Sequence, residues 1–201
     1  MPKSATQTLA LIKKSTVPIC FNQIKFHADI TASDNVIGIF KDALEALDAQ
    51  YHARFKEGES ARGLIYDRAH IIDCMLHYAW HQFLWSDNIS LIAIGGYGRG
   101  ELHPKSDIDL LLLLSNDPDT KDYESSQEFL TLLWDIGLNI GHSVRTLDQC
   151  VEMVHDDVTL ATSILESRLL QGPEYIFTSL QSKTHPGTVW SNNAFSIAKF
   201  N

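Results

Sequence analysis

The sequence predicts an α+β fold: a small mixed sheet flanked by helices on its N- and C-terminal sides. Three observations carry that reading. A short apolar run, Leu91 to Ile94, breaks at Gly95-Gly96. A second run, Asp107 to Leu114, is apolar on both faces after an acidic start, as a central strand must be. Around these two runs the apolar residues recur at helical spacing. With 201 residues, 44% hydrophobic and 20% charged, the chain is long enough for one generous domain of ordinary globular composition.

The elements follow in order. The first thirty residues show no clear periodicity. Ser33 is placed to cap a helix from about Asp34 to Arg54, with Val36, Ile37, Phe40, Leu44 and Leu47 on one face. Lys56 to Glu59 breaks it, and Ser60 opens a longer helix to about Leu84 whose core contacts are Leu64, Ile71, Met75 and Trp80. His70, His77 and His81 on that helix form no ligand motif and read as a packed or solvated face. After the strand at Leu91, residues 95–100 turn and begin a short helix, and Asp107 to Leu114 is the next strand. Asn116 to Asp119 is a loop. Ser125 with Glu128 suggests a capping box for a helix through Trp134. Leu138 to Val144 is a third strand. Thr146 with Gln149 forms another capping box, and a helical run extends to Leu170, where Gly172-Pro173 stops it. The tail from Gln181 carries no terminating signal. This gives a helical extension over 1–59, a core over 60–150 and a helical follow-on over 151–201.

Several functions are disfavoured. A net charge of −9 argues against nucleic acid as a partner, which calls for a basic face. No run is long enough to span a membrane, and the N-terminus lacks a secretory pattern. Cys20, Cys74 and Cys150 are odd in number and widely spaced, which fits neither a disulfide framework nor a metal motif. The expected compartment is the cytoplasm.

The chemistry concentrates between Leu91 and Leu114. Alternate strand residues share a face, so Asp107 and Asp109 project side by side and repel unless a cation lies between them. A bare Asp-x-Asp can simply face solvent. One that follows a Gly-Gly corner, with Ser106 before it, is a place to hold a divalent metal and a phosphate chain. Gly95 and Gly96 allow close approach of phosphate to backbone N–H groups, although a Gly-Gly corner alone is a tight turn. The glycine spacing matches neither G-x-x-x-x-G-K-[ST] nor G-x-G-x-x-G. Arg99 has two open roles, meeting a phosphate or pairing with an aspartate. Ser106 either binds a phosphate oxygen or caps the turn. Glu101 reads as structural, Lys105 as solvated and Tyr97 as packing. Phosphoryl or nucleotidyl transfer follows as the leading chemistry.

These residues carry a resemblance. GGYGRGELHPKSDIDLLLL (95–113), LTLLWDIGLNIGHSVRTLDQC (130–150) and DVTLATSILESRLLQG (157–172) resemble the N-terminal region of the bacterial PII-protein uridylyltransferase/uridylyl-removing enzymes. These belong to the polymerase-β-type nucleotidyltransferase superfamily. The resemblance implies transfer of UMP from UTP to a tyrosine of the PII signalling protein, in nitrogen regulation. It makes Asp107 and Asp109 the catalytic ligands of Mg²⁺, with Mn²⁺ as substitute, and Gly95, Gly96, Arg99 and Ser106 the nucleotide-binding set. It also implies a third carboxylate on a neighbouring strand, yet LNIGHSVRT holds none. Asn139 stands where one is sought, and Asp135, Asp148, Asp157 and Glu166 remain alternatives. Arg145 is open between a phosphate contact and an ion pair. The family's HD phosphohydrolase and ACT domains have no counterpart here, so uridylyl removal and glutamine sensing are not expected of this chain. Two other readings stay open: an adenylylating or small-molecule nucleotidyltransferase, and a catalytically silent nucleotide-binding module.

Overall fold

A computed structural model describes residues 21–185. A four-stranded sheet lies between two helical layers. Strands β1 (Ile89–Ala93), β2 (Ile108–Leu114), β3 (Ile140–Thr146) and β4 (Arg168–Gln171) pair in the order β3-β2-β1-β4. β1 is antiparallel to both β2 and β4, whereas β2 and β3 are parallel, so the sheet is mixed as expected. β2 is central, which is why Leu110 to Leu114 are buried on both faces. Its even-numbered leucines join the core under α1 (Gln23–Ala32), α2 (Val36–Lys56), α3 (Ala61–Trp80) and α5 (Thr120–Asp135). Leu111 and Leu113 join Ile92 in the second core, under α6 (Leu147–Asp156), α7 (Val158–Leu165) and α8 (Glu174–Lys183). The one-turn α4 (Gly95–Gly98) follows β1. No helix among the described residues is long and apolar enough to cross a membrane.

Local chemistry sets most boundaries, and it corrects several expectations. α1 lies in a stretch without visible periodicity. Asn22 caps it by accepting from the Lys25 amide, and Phe26 and Ile30 anchor it in the core. Ser33 ends α1 and does not cap α2; Asn35 does, accepting from the Gly38 amide at 3.0 Å. Phe40 and Leu47 are buried on α2 as expected, while Ile37 is more than a third exposed. α3 buries Leu64, Ile71, Met75 and Trp80 but ends at Trp80. There the Trp85 ring stacks on the Trp80 ring at 3.7 Å and its indole N–H donates to the Trp80 carbonyl, turning the chain back. Leu84 is consequently exposed.

α5 begins five residues before the expected Ser125. Its capping box is Asp119 with Asp122, each side chain accepting the other's backbone N–H. Asp122 is buried because Ser86 and Asn88 also donate to it. The Thr146–Gln149 box opens α6 as read. The helical run to Leu170 does not hold. Asp157 caps a separate α7, and residues 168–171 form β4 on the edge of the sheet. The pattern RLLQ is too short to show strand alternation, so only pairing with β1 decides it. Cys20 and the tail beyond 185 lie outside the described residues.

Candidate active site

Asp107 and Asp109 stand at the start of β2, on the sheet face that leads into Leu111 and Leu113. The backbone brings the glycine corner onto them. The Ile94 amide donates to the Asp109 carbonyl at 3.1 Å, so β1 ends level with Asp109. Gly95 then adopts φ +58°, a conformation that L side chains rarely adopt, and a side chain there would come within 3.5 Å of Asp109 Oδ2. The corner therefore lies against the carboxylate with nothing between. The opening turn of α4 has no earlier carbonyl within the helix for its N–H groups.

Behind the corner, α4 is locked to the core. Tyr97 is buried, as expected of a packing residue, and its hydroxyl donates to Asp73 at 2.5 Å. Arg168 on β4 forks onto the same Asp73 at 2.7 and 2.8 Å and reaches the Tyr97 carbonyl at 3.3 Å. Its guanidinium lies 5.0 Å from the Tyr97 ring centroid. Gly98 presses against the backbone of Glu166 with no space for a side chain. Asp73 and Arg168 were not singled out from sequence, because no local pattern points to a role for either; their sequence separation of 95 is bridged only by the fold.

The electrostatics of the acidic pair are unbalanced. Burial pushes the Asp109 carboxyl above the usual carboxylate range, and the neighbouring Asp107 charge adds to the rise. No hydrogen-bond donor or cation among the described residues meets the Asp109 side chain, and none of the ion pairs there involves Asp107. Asp107 Oδ1 accepts from one neutral group, the Asn139 amide. Two carboxylates on one face, one of them half-buried and without a donor, fit a bound divalent cation, which supplies the missing charge.

The remaining positions sort by geometry. Arg99 pairs with neither aspartate. It is held by Glu101 at 3.1 Å and Glu166 at 2.5 Å and stays substantially exposed. Glu101 also accepts from the Tyr66 hydroxyl, in keeping with a structural role. Ser106 and Lys105 lie exposed in the turn before β2, where the Ser106 amide donates to the His103 carbonyl. Of the alternative acids, Glu166 is taken by Arg99, Asp157 caps α7 and Asp148 pairs with Lys183 at 3.5 Å. Asp135 ends α5, exposed. Arg145 pairs with no acid, and its buried Nη1 has no partner among the described residues. His77, on α3, and His81, just past its end, pack ring to ring at 4.2 Å.

Sequence reasoning overlooked Gly141. The parallel register sets it opposite Asp109, and a side chain there would occupy the place of the Asp109 carboxylate. The signal was present in the sequence as a glycine inside a strand, which marks close approach of a neighbour.

A mixed sheet thus carries a glycine corner over two strand-borne carboxylates. Residues 81–161, spanning β1 to β3 with α4 to α6, match the nucleotidyltransferase domain family. Across 90% of its length it is similar to proteins named bifunctional uridylyltransferase/uridylyl-removing enzyme. Identity is 44% over 188 residues with that of Ectopseudomonas mendocina, 44% over 184 with that of Azotobacter vinelandii and 42% over 184 with that of Pseudomonas syringae pv. tomato. The chain spans about a fifth of the length of these relatives, as each match covers 20% of the relative.

Proposed function

We propose that this chain is the transferase portion of a uridylyltransferase, moving UMP from UTP to a tyrosine of the PII signalling protein in the bacterial cytoplasm. The observation that carries the reading is the pair Asp107 and Asp109 under Gly95, without a cation partner among the described residues. The identity of 42–44% to proteins named uridylyltransferase/uridylyl-removing enzyme supports transfer of a uridylyl group.

In this reading Asp107 and Asp109 hold Mg²⁺, or Mn²⁺ in its place. The ion, when bound, neutralises the triphosphate and stabilises the charge that develops on the leaving pyrophosphate. Gly95 and Gly96 approach the phosphates through their backbone N–H groups, and Ser106 offers its hydroxyl to a phosphate oxygen. Arg99 exchanges one of its glutamates for a phosphate. The tyrosine oxygen attacks the α-phosphorus as its proton departs, the bond to the β-phosphate oxygen breaks, and pyrophosphate leaves. Removal of UMP is not assigned to this chain.

Calorimetric titration with UTP, ATP, CTP and GTP, each with Mg²⁺ and with chelator, tests this. UTP-selective, metal-dependent binding is expected, and Asp107→Asn with Asp109→Asn should abolish both binding and transfer while the protein stays folded. Selective ATP binding would replace the reading with an adenylylating one. Undiminished transfer in the double variant would sink the metal assignment. A second reading, nucleotide binding without turnover, is favoured by one observation: the described residues contain no group of three metal-ligating side chains. Metal-dependent UTP binding with no label appearing on PII would select it.

A further inference from the structure

The parallel register limits what can complete the site. Ile108 pairs with Ile140 and Asp109 with Gly141, which sets Asp107 beside Asn139. The Ile108 amide donates to the Asn139 carbonyl at 2.9 Å, extending the ladder to that point. A group reaching the acidic pair from β3 must share their face, at position 139, 141 or 143. These positions hold an amide, no side chain and a hydroxyl. Position 141 admits no side chain, because the Asp109 carboxylate fills the place of a Cβ. Of the three, Asn139 alone hydrogen-bonds to the pair, its Nδ2 donating to Asp107 Oδ1. Three carboxylates elsewhere are committed to Arg99, to Lys183 and to the α7 cap.

We propose that Asn139 is the third member of the site: a neutral positioning residue that holds Asp107 by hydrogen bond and leaves the cation site with two negative charges. The proposal rests on the cation reading of Asp107 and Asp109 given above. An anionic side chain at 139 would add attraction for a divalent ion, since affinity at such sites follows ligand charge. It would also lose the amide donor that orients Asp107. The amide keeps affinity for the free ion low, so the ion is retained when the triphosphate adds its own oxygens. Asn139 thus acts on the cation through Asp107, as groups that orient metal ligands do.

The test is Mn²⁺ binding to the full 201-residue chain without nucleotide, by calorimetry and by the electron paramagnetic resonance of free Mn²⁺. Asn139→Asp should tighten Mn²⁺ about tenfold by added charge. Asn139→Ala, unchanged in charge, should weaken it about tenfold through loss of the hydrogen bond. Asn139→Ser, which retains a short donor, should fall between Ala and the parent and covers the case in which Ala fails to fold. Affinities of Asp, Ala and Ser variants within twofold of the parent would overturn the proposal, as would weaker binding by Asn139→Asp. Asp107→Asn with Asp109→Asn separates the two readings. If that variant still binds Mn²⁺ as the parent does, the cation reading itself fails; if it loses Mn²⁺ while the Asn139 variants do not change, only the role of Asn139 falls.

Discussion

At the scale of single residues, the site is built as much from missing side chains as from present ones. Gly95 and Gly141 leave room on two sides of Asp109, one through a left-handed turn and the other through a strand register. Gly98 does the same for the backbone of Glu166. These glycines differ in what must yield on substitution. At Gly141 the obstacle is the end of a side chain that is only partly buried. Gly141→Ala should therefore displace the Asp109 carboxylate and cut transfer by about 100-fold, with a melting temperature close to the parent's. At Gly98 the obstacle is backbone, which cannot swing aside. Gly98→Ala should cost about 1–3 kcal/mol in urea unfolding. The opposite ranking, a destabilised Gly141→Ala and a neutral Gly98→Ala, would contradict the site as described. Asp107, Asp109 and the Gly-Gly corner stood out in the sequence because polar residues interrupt apolar strands there. Gly141 did not, and Asn139 drew notice only as the place where a third acid is sought, because their meaning lies in which residue of β2 each one faces.

At the scale of elements, end chemistry was read from the Ser/Thr-x-x-Glu/Gln pattern. Thr146 with Gln149 is such a case. The box read at Ser125 and Glu128 has the right residue types in the wrong place, since Ser125 lies inside α5. The operative box, Asp119 with Asp122, is reinforced by Ser86 and Asn88 from the loop before β1. The two assignments separate by stability. Asp119→Ala should destabilise by about 1 kcal/mol, whereas Ser125→Ala should stay within about 0.5 kcal/mol; thermal and urea melts of both variants check this. α1 and β4 were missed for related reasons. α1 is ten residues held by Phe26 and Ile30, with too little amphipathic pattern to announce itself. β4 is four residues whose strand character comes from pairing with β1.

At the scale of the whole molecule, the sheet is a partition between two cores, and the acidic pair lies at the end of the face that carries the smaller one. The layers are tied across the sheet edge by Asp73, Tyr97 and Arg168, which join α3, α4 and β4. Beside this junction a cavity of about 150 Å³ is lined by Gln23, His70, Asp73, His77, Arg168 and Gln171 among others. The Gln171 amide on β4 donates its Nε2–H to His77 Nδ1 at 2.9 Å. Burial lowers its pKa from 6.5 to about 4, and His81 and His27 oppose its charge further, while Gln171 acts the other way. The folded state therefore resists protonation that the unfolded chain accepts. Stability from this source is present above pH 6.5 and is lost as pH falls toward 4. His77→Gln should flatten the decline of melting temperature across that window, relative to the parent. An unchanged slope would mean that other groups govern it.

The α+β class, the centrality of β2, the Thr146 cap and the acidic pair with its glycine corner were legible along the chain, since each rests on patterns within short segments. Periodicity, capping spacing and a charge in an apolar strand depend on neighbours along the chain. Folding was needed to establish that residues 168–171 are a strand, that Arg99 is held by glutamates, that Arg168 and Asp73 anchor α4, and that Asn139 and Gly141 face the two aspartates. Those facts depend on strand register and on pairs far apart in the chain. A shift of one residue in the β2–β3 pairing would leave every local pattern intact and would put different side chains against Asp107 and Asp109.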